Sequence, residues 1–207
     1  MNAAISALFV GLVVARLVFV GLHLPYYREH PLETIALWEG GLSAFGGVLG
    51  GILGVVAFSG KHIHQIWGLL DDLALPGLIV TILTWIGCWL DGIAYGKQVP
   101  LNWFLLKNSD PFNGQIARWP TQLVGALLAL LAFLALIRIA RDLPQGLTAG
   151  LALSAVSLTL LLTGFFRADP SMLIFGQRLD ILGAALLTIA GLSLTTYHRL
   201  KTDKSRR

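Results

Sequence analysis

The 207-residue sequence predicts an all-α, polytopic membrane protein: one transmembrane domain over residues 1–207, about six spanning helices, and both termini in the cytoplasm. Three observations carry that prediction. Hydrophobic residues make up 56% of the chain and charged residues only 13%, against ~25% charged in an average soluble domain; the mean hydropathy is +0.74. So few polar side chains cannot cover a water-facing exterior, and so much apolar surface does not stay disordered. Six apolar stretches approach the roughly 20 residues that cross a bilayer. The basic residues also gather unequally on the two sides that six spans would create. Cys88 is the only cysteine, so a disulfide scaffold is excluded.

The spans follow in order. The first runs from about Ala3 to Leu24 and contains Arg16. It lacks a basic n-region, and a charge interrupts its apolar run, so it is expected to be retained rather than cleaved as a signal peptide. The second, about Leu42 to Phe58, is short and glycine-rich; the third, about Leu69 to Leu90, begins with Asp71 and Asp72 and carries Pro76. The fourth covers about Gln122 to Ile139, the fifth Leu147 to Phe166 and the sixth Leu179 to Thr196.

With these spans, Lys61, Arg138, Arg141, Arg199, Lys201, Lys204, Arg206 and Arg207 share one side. Arg28, Lys97, Lys107, Arg118, Arg167 and Arg178 share the other with most of the acids. The positive-inside rule places the first set in the cytoplasm. The net charge of +4 gathers mostly in the C-terminal tail beside an apolar run. It suits anionic lipid headgroups, and no basic stripe with interleaved aromatics points to nucleic acid. The outer excursion from Gly92 to Thr121 holds Pro100, Asn108-Ser-Asp-Pro111 and Asn113-Gly114, which are turn signals. It reads as an interfacial loop or as a loop shaping a lipid-facing site, with Trp103 and Trp119 at headgroup level.

Several residues cost too much to be incidental. Gly46/Gly50, Gly47/Gly51 and Gly50/Gly54 are overlapping GxxxG pairs, which let a second helix backbone come close. Gly40 and Gly41, after Glu39, fit a broken or re-entrant start to that span, or simply tight packing. Arg16 within a span costs roughly 2.5–3.5 kcal/mol on insertion scales and must face a partner or a wet cavity. Arg118 and Arg167 stand at outer helix ends, as interfacial anchors or as phosphate ligands. Guanidinium matches phosphate with two parallel hydrogen bonds, so these two and Arg16 are expected to converge on an anionic headgroup. Asp91 is a helix-end carboxylate able to accept a proton or orient an arginine. His23 and His30 flank Pro25-Tyr26-Tyr27 at the interface. Lys61-His-Ile-His64 is too sparse to be a metal site, and no cofactor is expected.

In this order the pieces resemble the prolipoprotein diacylglyceryl transferase family. Its Gly-Gly-x-Ser-Phe-His-Gly-Gly stretch is similar to Gly40-Gly-Leu-Ser43-Ala-Phe-Gly46-Gly47, preceded by Trp38-Glu39. Its Gly-Arg-x-Gly-Asn-Phe-x-Asn-Gly-Glu-x-x-Gly signature resembles Thr84 to Gly96, its Arg-His-Pro-Ser-Gln-Leu-Tyr-Glu motif resembles Arg118 to Gly125, and its Glu-Phe-Phe-Arg and Met-Gly-Gln segments resemble Gly164 to Arg167 and Phe175 to Gln177. Arg16 falls where the family has an arginine. Phe45, Trp85, Cys88, Asp91, Ile93 and Leu160 stand where the family has polar or charged residues, and the family's first span is expected to be absent.

The resemblance implies a bacterial plasma (inner) membrane transferase that moves the diacylglyceryl group of phosphatidylglycerol to a prolipoprotein lipobox cysteine. By the same resemblance Asp91, Arg118 and Arg167 are the expected catalytic residues. Arg16, Glu39, Gly40, Gly41, Ser43, Gly46, Gly47, Gly96, Gln122 and Gln177 are expected to bind substrate. The lost polar residues keep a second reading open: a non-catalytic binder of phospholipid or lipoprotein with the same fold. A small transporter is a third, opposed by the shortage of paired intramembrane charges.

Overall fold

The computed structural model describes residues 2–60, 65–100, 107–110 and 114–205. The Lys61–His64 stretch, Trp103, Arg206 and Arg207 lie outside them. The architecture is helical and multi-pass, as the sequence predicts. Among the described residues, five helices are long and apolar enough to cross a membrane. The glycine-rich second span is a shorter apolar helix of 16 residues. The chain forms two compact units, Met1–Leu73 and Ala74–Arg207.

The first unit is built on α1 (Asn2–Leu22) and α3 (Ala44–Ser59). α1 stops before Pro25, whose ring cannot continue the hydrogen-bond ladder; the chain restarts as the short α2 (Leu24–Glu29) with that proline in its first turn. Two 3-10 turns, Pro31–Ile35 and Leu37–Glu39, lead back to α3. Gly46, Gly50 and Gly54 form one stripe pressed onto α1. A Cβ on Gly50 would stand 2.7 Å from the Val10 carbonyl oxygen, and one on Gly54 only 2.5 Å from that of Ser6. The Ser6 hydroxyl donates to the Gly54 carbonyl at 2.8 Å. Lipid gives two helices no hydrophobic reason to associate, so backbone-to-backbone approach supplies the contact.

The second unit holds the C-terminal part of α4 (Ile66–Leu90), then α5 (Thr121–Ile139), α6 (Leu147–Phe166) and α7 (Leu179–Ser205). Ala74, Leu78, Leu136 and Ala152 make its apolar core. α6 and α7 again touch through small residues, Gly150 against Thr195 and Gly191 against Ser154. Ser157, Thr159 and Thr163 are buried on α6, and each hydroxyl donates to the carbonyl four residues earlier. That internal bond removes the cost of burying a hydroxyl in an apolar surround.

Part of the segment between α4 and α5 is paired strand. β1 (Lys107–Asp110) and β2 (Gly114–Ala117) form an antiparallel hairpin, with Lys107 opposite Ala117. β3 (Leu173–Ile174) and β4 (Gln177–Arg178) form a second hairpin between α6 and α7.

Candidate functional site

In the first unit, the residues from Arg16 to Gly47 form one connected arrangement. Arg16 is only 5% exposed. Its Nε donates to the Thr34 carbonyl at 2.9 Å, and Nη1 to the carbonyls of Gly40 and Gly41, the latter at 3.0 Å. Nη2 donates to the Glu33 carbonyl, and the guanidinium carbon lies 5.3 Å from the Tyr27 ring centroid. The costly intramembrane cation therefore has a partner, and that partner is main chain. Gly40 and Gly41 have φ of +82° and +77°, a region that disfavours side chains. A Cβ on Gly41 would also stand 2.8 Å from Arg16 Nη1 and 2.6 Å from the Phe19 ring. Ser43 begins α3: its hydroxyl accepts from the Gly46 amide at 3.2 Å, and its amide donates to the Ala15 carbonyl at 3.1 Å. Gly46 is buried against α1, whereas Gly47 has more room. Glu39 closes the second 3-10 turn.

Beside this loop is a cavity of about 280 Å³ lined by Phe19, His23, Tyr26, Tyr27, Glu33, Gly40 and Gly41. His23 stacks on Phe19 and His30 on Tyr26, and the Tyr26 hydroxyl donates to Glu33 Oε2 at 2.6 Å.

In the second unit, the segment Tyr95–Gln98 runs between two neighbours. On one edge Gly96 bridges to Arg167, with the Lys97 amide donating to the Phe166 carbonyl and the Ala168 amide to that of Tyr95. On the other edge Gln98 bridges to Arg118, and the Trp119 amide donates to the Lys97 carbonyl at 2.9 Å. Main-chain pairing thus fixes Arg118 and Arg167 on opposite edges of one segment. Gly96 permits it: a Cβ there would meet the Trp119 carbonyl oxygen at 2.3 Å. Thr121 Oγ1 donates to the Ala94 carbonyl and Gln122 Nε2 to the Ile93 carbonyl, at 2.7 and 2.8 Å. Gln122 is therefore a buried tie for the segment. Asp91 is exposed just past α4, with its amide closing the helix on the Gly87 carbonyl. Gln177 is exposed on β4.

The electrostatics of this site involve residues the sequence offered only as loop charge. The Arg118 guanidinium lies 4.3 Å over the Tyr95 ring. Arg167 holds Asp169 in a two-bond fork, Nε to Oδ1 at 2.8 Å and Nη2 to Oδ2 at 2.5 Å, and its Nη1 is 3.4 Å from Asp180. Arg178 joins both acids: Nη1 donates to the Asp169 carbonyl at 2.8 Å, and Nε and Nη2 donate to Asp180 at 3.1 and 3.0 Å. Burial works against the charge on Arg167, but the hydrogen bonds to Asp169 and the fields of both carboxylates outweigh it and raise its pKa. The available signal was the repeated Arg-x-Asp, Arg167-Ala-Asp169 and Arg178-Leu-Asp180, on either side of a hairpin. Trp85, 4% exposed, lies where a side chain on Gly125 would go; a Cβ there would be 2.4 Å from its indole.

The family model for prolipoprotein diacylglyceryl transferase matches residues 1–197. Curated relatives named phosphatidylglycerol–prolipoprotein diacylglyceryl transferase, from Staphylococcus aureus strains JH9, Newman and Mu50, are each 32% identical over 207 residues. The match covers 95% of this chain and 72% of each relative.

Proposed function

Because the chain belongs to the prolipoprotein diacylglyceryl transferase family, we propose that it moves the diacylglyceryl group of phosphatidylglycerol onto the cysteine thiol of a prolipoprotein lipobox, in a bacterial plasma (inner) membrane. The sulfur forms a bond to the terminal glyceryl carbon, the bond from that carbon to phosphate oxygen breaks, and glycerol phosphate leaves with the electron pair. Negative charge grows on the departing phosphate, so fixed cations at that point lower the barrier. The observation that supports this reading is the placement of Arg118 and Arg167 on the two edges of Tyr95–Gln98. Asp91 is the proposed acceptor of the thiol proton. Gly96, Gln122 and Gln177 shape the surround of the arginines. The loop from Glu39 to Gly47 is the proposed second contact surface, with Arg16 holding that loop through its carbonyls. The proposal treats residues 1–207 as one functional domain.

The test is transfer of labelled diacylglyceryl from phosphatidylglycerol vesicles to a lipobox peptide. The wild-type chain gives labelled peptide, and Arg118→Ala or Arg167→Ala cuts the rate by about 10²-fold or more, the usual effect of removing one charge-stabilising donor. A folded wild-type chain that transfers nothing at high enzyme load removes the catalytic reading. A second reading, phospholipid binding without turnover, draws on Trp85, whose indole fills the space beside Gly125 at two positions where the family carries charge. Phosphatidylglycerol that co-purifies with the chain and is reduced in Arg118→Ala, with no transfer, selects that reading.

A further inference from the structure

The four charges around the β3–β4 hairpin do different jobs on one guanidinium. Asp169 takes the Nε–Nη2 edge of Arg167 with both carboxylate oxygens, at 2.8 and 2.5 Å. A fork of this kind fixes the plane of the guanidinium as well as its position. Asp169 is itself held by Arg178, through its main-chain carbonyl at 2.8 Å and its Oδ1 at 3.4 Å. Asp180 meets Arg167 only at Nη1, at 3.4 Å, beyond the 2.7–2.9 Å of a charge-assisted hydrogen bond. Asp180 has other partners that do not move with Arg167: Arg178 at 3.0 and 3.1 Å, the Ser171 hydroxyl at 3.3 Å and the Ile181 amide at 3.1 Å.

We infer that Asp169 is a positioning residue that aims the Nη1 end of Arg167, and that Asp180 is an internal anion occupying that end until a phosphate diester displaces it. The inference rests on the reading of Arg167 as a phosphate cation. Asp180 on Nη1, at 3.4 Å, is the longer of the two carboxylate contacts on Arg167 and the one a ligand can replace without undoing the fork. Asp180 keeps its bonds to Arg178, Ser171 and Ile181 when it yields Nη1, so exchange leaves no carboxylate stranded. Arg178 is the second cation of the cluster and keeps the two acids from repelling each other.

This assigns opposite signs to two carboxylates on the same arginine, which a merely structural role for either would not produce. The measurement is phosphatidylglycerol retained by the full chain from vesicles of phosphatidylglycerol and phosphatidylcholine, for the wild type, Asp169→Asn and Asp180→Asn, with thermal unfolding of each in parallel. Asp169→Asn is expected to lower retention about tenfold, because an amide cannot accept the fork on both atoms. Asp180→Asn is expected to raise it about threefold, by removing the competing charge. The double variant Arg167→Lys with Asp169→Asn should lose no more than Arg167→Lys alone, since Asp169 acts through Arg167. Equal changes in both single variants, or weaker retention in Asp180→Asn, overturn the inference, as does additive loss in the double variant. If Asp180→Asn alone fails to fold, Asp180→Ser is used in its place. Transfer without the opposite signs defeats this inference and spares the proposed function. Opposite signs without transfer do the reverse.

Discussion

Arg16, buried within α1, and Arg167, half-buried at the end of α6, are held in opposite ways. Arg16 is tied to four main-chain carbonyls, from Glu33, Thr34, Gly40 and Gly41. Arg167 is tied to two side-chain carboxylates. A carbonyl fixed in a loop has nowhere else to go when its donor leaves, whereas a carboxylate with other partners can turn away at little cost. The first arrangement builds shape and the second can exchange. The same contrast runs through the packing: backbone meets backbone along the glycine stripe of α3, and side chain meets side chain in the Arg-Asp cluster. Catalysis that must bind and release a phosphate needs the second kind.

The largest effect should come from breaking the first kind. Gly54→Ala puts a Cβ 2.5 Å from the Ser6 carbonyl oxygen and 2.8 Å from the Ala7 Cα. Both are main-chain atoms, so α1 and α3 must part. Recovery of monodisperse protein in detergent should fall about tenfold or more, as close helix approach is the association force here. Gly51→Ala is the matched control. Its Cβ meets the Ala7 carbonyl oxygen at 3.9 Å, an ordinary contact, and recovery should be unchanged. Equal losses in both would mean that glycine matters for flexibility and not for approach.

Arg16 sharpens the comparison next. Arg16→Met leaves four partly exposed carbonyls without their donor, and destabilisation of about 1–3 kcal/mol is expected, the range for polar groups left without a hydrogen-bond partner. Arg16→Lys should recover only part of it, because one ammonium replaces a planar fork. Thermal unfolding in detergent reads both. Any folded fraction should keep part of its phosphatidylglycerol binding, because the loop loses its tie while Arg118 and Arg167 remain; complete loss of binding at full stability would show that Arg16 meets the lipid directly.

Arg16 also marks how far the sequence could be read. Hydropathy locates all the long helices, because a span needs only length and apolar content; even the glycine spacing of α3 identifies its packing stripe. An arginine inside a span must have a partner, and that too is legible. The partner's identity is not, since main-chain carbonyls from residues 33–41 carry no side-chain signature. The same limit hid the bridges of Gly96 to Arg167 and Gln98 to Arg118. Strand pairing between short segments distant in sequence has no periodicity to detect, so the excursion reads as turns. Asp169, Arg178 and Asp180 were visible as charges, but loop-charge counting treats them as topology signals and not as a network.

The smallest effect belongs to the second unit and should be a gain. The β3–β4 hairpin turns through Phe175 and Gly176, with φ of +51° and +76°. Two successive positive φ values define the tight hairpin turn that prefers Asn-Gly. A phenylalanine there carries the left-handed penalty of roughly 1–2 kcal/mol, and its side chain is 99% exposed, so no packing inside the chain offsets it. Phe175→Asn should therefore raise stability in detergent by about 1 kcal/mol, read as a higher unfolding midpoint. The hairpin links Asp169 and Arg178, so a firmer turn keeps the fork on Arg167 in register. A fall in stability would mean that the ring is held by surrounding lipid or detergent strongly enough to exceed its backbone cost. The tip would then be a membrane-seated element, and the exchangeable cluster behind it would owe its geometry to the bilayer rather than to the turn.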